Sequence, residues 1–278
     1  MESSPYHQRE RWLSLAPGLH IEDSLEPRHI DFLEPSPDLI GSFRDDGYVQ
    51  GSADWGLDLK LMAAAVRALS AAGLSPLFAF VYDEFWNPFF RLHRIHSAFL
   101  GDTYCLLPEF SVLNIEPGGA GWRPHRDRGR HTLFEDGAPK SLTTWISLTP
   151  ATPLDGCIYV VPAQHDPTYG TAEESEMRFE FQSIRALPTR AGDFLIWNQA
   201  LLHWGGKTSP QVSESRVSIA LQFQRADLGH NEALDPLRSL PLEARVLLIA
   251  RQLYRQRHLY DLDPKLAELA IGRPDGAL

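Results

Sequence analysis

The sequence predicts a mainly β protein with flanking helices, built as a sandwich or a double-sheet jelly roll. At least six short β-rich segments, separated by Pro, Gly and Asp, lie between residues 105 and 225. No helical pattern separates them, which favours a double antiparallel sheet over an alternating α/β fold. Helical patterns lie before and after this region. The segments are 105–119, 141–150, 157–162, 178–184, 193–198 and 215–224.

We expect one domain over residues 1–278, since this length suffices for one large domain with a buried core. Residues 1–104 are predicted to be a mainly helical N-terminal part, 105–225 the jelly-roll core, and 226–278 C-terminal helices. Helical apolar spacing supports the two outer parts. It occurs at 56–73, 85–101 and 240–259.

Composition excludes several classes of protein. The chain has 26 Lys plus Arg against 36 Asp plus Glu, a formal net charge of −10. An acidic chain lacks the positive field that nucleic acid or anionic membrane requires. Two cysteines, Cys105 and Cys157, provide neither a disulfide framework nor a cysteine zinc site. We expect a cytoplasmic protein without a membrane span; its oligomeric state is not predicted.

The segment Gly121–His131, GWRPHRDRGRH, contains a pattern typical of a metal site. His125 and Asp127 are two residues apart, and residues i and i+2 of an extended strand share one face. An imidazole and a carboxylate would then converge on one point. These are two of the three ligands of the facial triad that holds non-haem Fe(II). A distant second histidine is required.

His203 is the best candidate for that histidine. It follows a strongly β-like segment, and Arg216 and Ser218 come next, again on one strand face. A guanidinium beside a hydroxyl suits a carboxylate, because arginine can meet it with two parallel hydrogen bonds. The chain therefore offers three metal ligands followed by an anion clamp.

With these elements the sequence resembles the Fe(II)/2-oxoglutarate-dependent dioxygenases, and among them the phytanoyl-CoA dioxygenase-like group. The resemblance is strongest over residues 105–225. The matching elements are His125-x-Asp127, the segment TWISLTPATPLDGCIYVVPAQH, the Gly192-Asp193 pair, His203 and Arg216-x-Ser218.

The resemblance implies a double-stranded β-helix, the cupin-like jelly roll. It implies Fe(II) held by His125, Asp127 and His203, with 2-oxoglutarate as co-substrate and O2 as oxidant. Arg216, helped by Ser218, would pair with the far carboxylate of 2-oxoglutarate. Iron plus Arg216 would offset the charges of Asp127 and the 2-oxoglutarate dianion.

Two further side chains are candidates for contact with the co-substrate. Trp145, at an inward-facing strand position, is predicted to pack against it. Asn114, on the strand before the metal ligands, is predicted to reach the co-substrate or substrate, or to be only a polar residue at a strand end.

The implied reaction is hydroxylation of a C–H bond in a small organic molecule, with release of succinate and CO2. The substrate would be a secondary metabolite, an amino acid or an acyl-type compound. Asp127 argues against halogenation, because related halogenases lack this carboxylate. The alternative is a non-oxygenase jelly-roll binding module with a vestigial or different metal site. Demethylation of nucleic acid is disfavoured by the acidic charge.

The remaining residues of the basic segment have two interpretations. Most of its arginines are expected on a solvated loop, since charge runs usually face solvent. Trp122, Arg128 and His131 are the predicted substrate contacts at the mouth of the site. The arginines of the segment are Arg123, Arg126, Arg128 and Arg130.

Four other histidines are rival metal ligands. His131 keeps the spacing of His125 and Asp127, but Gly129 is expected to break the strand before it. His165 suits a loop and has no Arg-x-Ser after it. His93 and His96 lie three residues apart on a predicted helix and are expected on its surface.

Overall fold

The computed structural model describes residues 4–22, 30–230, 232–258 and 262–272. The other residues of the predicted N-terminal part (1–104) and C-terminal helices (226–278) lie outside these ranges. Within them, the strands are β1 (Tyr48–Ser52), β2 (Tyr104–Ile115), β3 (Ser141–Ser147), β4 (Ile158–Val161), β5 (Arg185–Leu187), β6 (Asp193–Asn198), β7 (Leu202–Gly205) and β8 (Arg216–Arg225). The helices are α1 (Arg9–Leu15), α2 (Pro37–Asp46), α3 (Leu59–Ala71), α4 (Asn87–Arg91), α5 (His93–Leu100), α6 (Leu242–Arg255) and α7 (Pro264–Ile271).

The strands form two antiparallel sheets, and the predicted jelly roll is confirmed. The major sheet has five strands in the order β1-β6-β3-β8-β2, and the minor sheet has three in the order β5-β4-β7. In β8, Ser218 lies opposite Ser147 of β3 and Leu113 of β2. This register decides which side chains share a face at the centre of the major sheet.

The two faces of the major sheet pack against different layers. Along β8, Val217, Ile219 and Leu221 belong to the hydrophobic core shared with the helices. Ala220, between them, belongs to a second core that joins the major sheet to the minor sheet. Because side chains alternate along a strand, the even-numbered residues of β8 face the interior of the roll.

The helix α3 shows why the outer layer forms where it does. Asp58 caps its first turn by accepting a hydrogen bond from the Leu61 backbone nitrogen at 3.0 Å. Met62, Val66 and Leu69 then repeat at helical spacing, and all are buried. None of the described helices is long and apolar enough to cross a membrane.

Most of the predicted elements are present, and some differ. The helical pattern at 85–101 is divided into α4 and α5, with Leu92 at the break. The predicted strand at 178–184 is wrong: it contains a short 3-10 turn, Phe181–Ser183, and β5 begins after it. The strand β1 comes from the predicted helical part and pairs with β6 at the edge of the major sheet.

Candidate metal and co-substrate site

The Gly121–His131 segment joins the open edge of the minor sheet. His125 and His203 exchange two backbone hydrogen bonds of 3.0 Å, which make a single antiparallel bridge to β7. Gly121 permits the close approach, since a Cβ there would lie 2.1 Å from the carbonyl oxygen of Gly205. The predicted regular strand at His125 is therefore wrong, but the pairing still places the two histidines side by side.

The three predicted metal ligands converge. One oxygen of Asp127, Oδ1, lies 3.7 Å from Nε2 of His125 and 3.5 Å from Nε2 of His203. Each residue offers a ligand atom, and these atoms all lie within 4.8 Å of one another. Two imidazole nitrogens and one carboxylate oxygen form the donor set of the iron facial triad.

Hydrogen bonds orient both imidazole rings toward this point. Nδ1 of His125 donates to the Arg123 carbonyl oxygen at 2.8 Å, and Nδ1 of His203 donates to that of Leu201 at 3.0 Å. A carbonyl only accepts, so the proton sits on Nδ1 and leaves the Nε2 lone pair for a metal. Burial holds the pKa of His203 below its ordinary value, although Asp127 opposes the shift.

A set of buried donors lies on the inner face of the major sheet. Among the residues that the structure describes, the guanidinium nitrogens of Arg216, the hydroxyl of Ser218 and the indole nitrogen of Trp145 have no hydrogen-bond partner. Arg216 is only 1% exposed, and burial lowers its pKa to about 10. Buried polar groups are normally paired, so this set indicates a site for an anionic ligand.

Asn114 does not belong to this set, and its predicted co-substrate contact is corrected. It lies opposite Val217 in the β2–β8 pair, so its side chain shares the helix-packed face and not the face of Arg216. Its amide nitrogen donates to Ser70 of α3 at 3.3 Å and to Glu116 at 3.1 Å.

The predicted substrate contacts lie in different surroundings. Trp122 is 57% exposed, and a Cβ on Gly205 would lie 3.7 Å from its ring and 3.6 Å from Nη2 of Arg216. Trp122 therefore lies near Arg216. The guanidinium of Arg128 is paired with Glu109 at 2.9 Å. His131 is exposed on a short turn after Gly129. Substrate contact by these side chains stays a prediction.

Arg126 is not on a solvated loop, in contrast to the expectation for most of these arginines. Its side chain is 5% exposed and forms an ion pair of 2.7 Å with Asp166, whose side chain is fully buried. It also donates to the Ala200 carbonyl oxygen at 2.7 Å and to Thr168 at 3.0 Å. Arg126 therefore fastens the loop after β4 to the segment that holds His125 and Asp127.

We expect Arg126→Leu to lower the free energy of unfolding by about 3–5 kcal/mol, because it leaves the Asp166 carboxylate buried without its counter-charge. Urea denaturation of the two proteins measures the difference. Arg130→Leu is the matched control: its side chain is exposed in the same segment, and a change within about 0.5 kcal/mol is expected. Equal losses in the two variants would contradict the role of Arg126.

The rival histidines take no part in the site. His165 is exposed on a turn, as expected. His96 is fully buried instead of lying on a helix surface, and Nε2 of its ring lies 2.8 Å from the Thr144 hydroxyl. Burial lowers the pKa of His96 to about 3. His93 contacts the Tyr104 hydroxyl at 2.8 Å.

Sequence reasoning missed the side chains that support Asp127. Thr143 and Trp197 both donate to its carboxylate, and Gln199 contacts Thr143. The alternation of β3 gave a signal for Thr143, since it shares a face with Trp145. No pattern in the sequence identified Asp127 as the common partner of Thr143 and Trp197, or Gln199 as the residue behind Thr143.

The residues present fit an iron(II) ion and 2-oxoglutarate. The facial donor set binds the metal on one side only, which leaves positions for a chelating co-substrate. The unpartnered cation of Arg216, with Ser218, supplies a carboxylate clamp. The metal donor set and the Arg216–Ser218 pair lie on different elements of the fold, and an iron- and 2-oxoglutarate-dependent reaction needs both.

Solved structures of similar fold include AviO1 from Streptomyces viridochromogenes, which is 19% identical with a TM-score of 0.51 and aligns over 70% of this chain and 96% of that one. HygX from Streptomyces hygroscopicus, solved with nickel, 2-oxoglutarate and hygromycin B bound, is 15% identical with a TM-score of 0.52, over 69% and 88%. The carbocyclase SnoK from nogalamycin biosynthesis is 18% identical with a TM-score of 0.51, over 69% and 85%. At these identities the likeness concerns the fold alone.

Sequence comparison extends the likeness. The iron/alpha-ketoglutarate-dependent dioxygenase ausO from Aspergillus calidoustus is 28% identical over 149 residues, which are 51% of this chain. The match spans about half the length of that relative, 49%. The family model for phytanoyl-CoA dioxygenase (PhyH) matches residues 44–216, which include the three candidate metal ligands and Arg216. The chain therefore belongs to the phytanoyl-CoA dioxygenase family.

Proposed function

We propose that this protein is an Fe(II)- and 2-oxoglutarate-dependent oxygenase. The observation that carries the proposal is the pairing of two sites on the interior of the roll. His125, Asp127 and His203 supply the metal ligands. Arg216 and Ser218 supply buried donors that have no partner among the described residues. A binding module without 2-oxoglutarate has no need to bury an unpaired guanidinium.

Each side chain has a defined task in this proposal. Iron, when bound, supplies the site at which O2 is activated for oxidation of the substrate. Arg216 and Ser218 would hold the far carboxylate of 2-oxoglutarate through donors that have no partner among the described residues. Trp145, on the same sheet face, would contact the co-substrate and would offer its unpartnered indole N–H. Burial of these groups excludes water, which strengthens the charged contacts.

We propose a small organic molecule as the substrate and C–H hydroxylation as the outcome. The balanced reaction converts the substrate C–H, O2 and 2-oxoglutarate into the C–OH product, succinate and CO2. The open side of the site carries Trp122, which is 57% exposed. An exposed indole beside the co-substrate clamp suits a substrate with an apolar surface. Arg128, already paired with Glu109, and His131 remain candidate contacts.

Turnover of 2-oxoglutarate tests the proposal. The purified protein, supplied with Fe(II), O2 and 2-oxoglutarate, should form succinate slowly by itself and faster when a metabolite in a screened library is its substrate. Mass spectrometry of the stimulating metabolite should show a gain of 16 Da for hydroxylation. A loss of 2 Da would replace hydroxylation by another oxidation, and a product of unchanged mass would replace it by an isomerisation. Absence of any succinate, with iron bound, would favour the binding module.

A further inference from the structure

The two oxygens of the Asp127 carboxylate have different surroundings. Oδ1 faces the Nε2 atoms of the two histidines, at 3.7 and 3.5 Å. Oδ2 points away from them and accepts two hydrogen bonds. The hydroxyl of Thr143 donates at 2.6 Å, and the indole nitrogen of Trp197 donates at 2.9 Å. Rotation of the carboxylate would break both bonds.

Gln199 fixes the direction of the Thr143 hydroxyl. Its side-chain nitrogen donates to the Thr143 hydroxyl oxygen at 3.3 Å and to Gln222 at 2.9 Å. Its side-chain oxygen accepts from Ser141 at 2.6 Å. Because Thr143 accepts from the amide, its one proton is free to point at Asp127. Gln199 itself is fully buried, so water does not compete for the hydrogen bonds that orient the Thr143 hydroxyl.

Trp197 supports two ligands at once. An indole nitrogen is only a donor, so its bond to Oδ2 of Asp127 has one possible direction. The centroid of its ring also lies 4.7 Å from that of His203. The side chain is 4% exposed and lies in the core between the sheets. A single rigid group thus limits the movement of a carboxylate ligand and of an imidazole ligand.

We propose that Thr143, Trp197 and Gln199 are positioning residues that present Asp127 to the metal through Oδ1 alone. With Oδ2 held by two donors, the carboxylate takes one coordination position and leaves the others to co-substrate and oxygen. The inference rests on the proposed function for its metal. The ligand set alone does not specify how the Asp127 carboxylate is oriented or how many bonds it makes to iron. The inference names the side chains that set both.

The test measures metal affinity and needs no turnover. Co(II), a spectroscopic stand-in for Fe(II), is titrated into the full-length protein without oxygen, and its visible bands report both affinity and coordination. We expect Thr143→Val and Trp197→Phe each to weaken Co(II) binding by about 10- to 100-fold, the usual effect of losing such a partner. The Co(II) bands should also shift, because the freed carboxylate changes its coordination.

Thr144→Val is the matched control. Thr144 is the next residue of β3, equally buried, and its hydroxyl contacts His96 on the helix side at 2.8 Å. We expect it to change the melting temperature but not the affinity for Co(II). Thr143→Ser keeps the hydroxyl and should restore binding to within about threefold of the parent.

Several outcomes decide the proposal. Unchanged affinity and bands in Thr143→Val and Trp197→Phe would overturn it, as would an equal loss of affinity in Thr144→Val. If Thr143→Val does not fold, Trp197→Phe decides alone, because it keeps an aromatic ring at this position while it removes the indole N–H donor. Failure of the proposed function looks different: the parent itself would bind no Co(II), or would bind it and form no succinate with Fe(II).

Discussion

His203→Ala is expected to abolish the stabilisation of the protein by Fe(II). His203 lies in the bridge between β7 and the Gly121–His131 segment, and its Nε2 is 3.5 Å from Oδ1 of Asp127. Loss of one ligand from a set of three leaves an incomplete metal site. At a free metal concentration of 100 times the dissociation constant, binding stabilises the parent by about 2.7 kcal/mol. For a chain of this size that corresponds to roughly 5 °C in melting temperature.

The measurement is a thermal melt without oxygen, with and without Fe(II). His165→Ala is the control, because His165 is an exposed loop histidine outside the site. It should keep the full metal-dependent shift, whereas His203→Ala should show none. A His203→Ala protein that kept the shift, together with full succinate formation, would show that the ligand set is wrong.

Arg216→Leu is expected to have the second large effect, on affinity for 2-oxoglutarate. Removing one partner of a buried, hydrogen-bonded charge pair costs about 2–5 kcal/mol. We therefore expect the dissociation constant of 2-oxoglutarate to rise by at least about 30-fold. Arg216→Lys keeps the charge but lacks the planar pair of donors. Its dissociation constant for 2-oxoglutarate should lie between those of the parent and Arg216→Leu. Calorimetry without oxygen, in the presence of Fe(II), measures all three proteins.

Without bound 2-oxoglutarate, Arg216→Leu is expected to leave the stability of the protein unchanged or to raise it. The guanidinium of Arg216 is 1% exposed and has no hydrogen-bond partner among the described residues. Burial of an unpaired cation is unfavourable, so Arg216→Leu should melt at the same temperature as the parent or higher. Unchanged affinity for 2-oxoglutarate in Arg216→Leu would contradict the clamp. A large loss of stability would assign Arg216 a structural task instead.

The convergence of the three candidate metal ligands, and the shared face of Arg216 and Ser218, could be predicted because the spacing in the sequence carries the information. Arg216 and Ser218 lie on a long, regular strand, where a period of two determines the face of each side chain. His125 and Asp127 converge although only His125 forms a β-bridge, with His203. At this point the backbone pairing with His203 and the close approach at Gly121 position the two side chains, in place of the regular strand that was expected.

Other features depend on partners that are distant in the chain. Asn114 faces the helices and not the interior of the roll, because it lies opposite Val217 across the β2–β8 pair and its amide donates to Ser70 of α3. Arg126 is buried because Asp166, forty positions later in another loop, provides its counter-charge. A charge run in a sequence gives no sign of such a partner, so a solvated loop was the natural expectation.

Titration of the protein with 2-oxoglutarate under anaerobic conditions tests the central claim most directly. With Fe(II) present, a weak visible charge-transfer band should appear and saturate, because the 2-oxo acid chelates an iron held by His125, Asp127 and His203. Without Fe(II) no band should form. A saturable band that needs both components supports a 2-oxoglutarate-dependent iron site. The absence of a band, with Fe(II) and 2-oxoglutarate both present in excess, would contradict it.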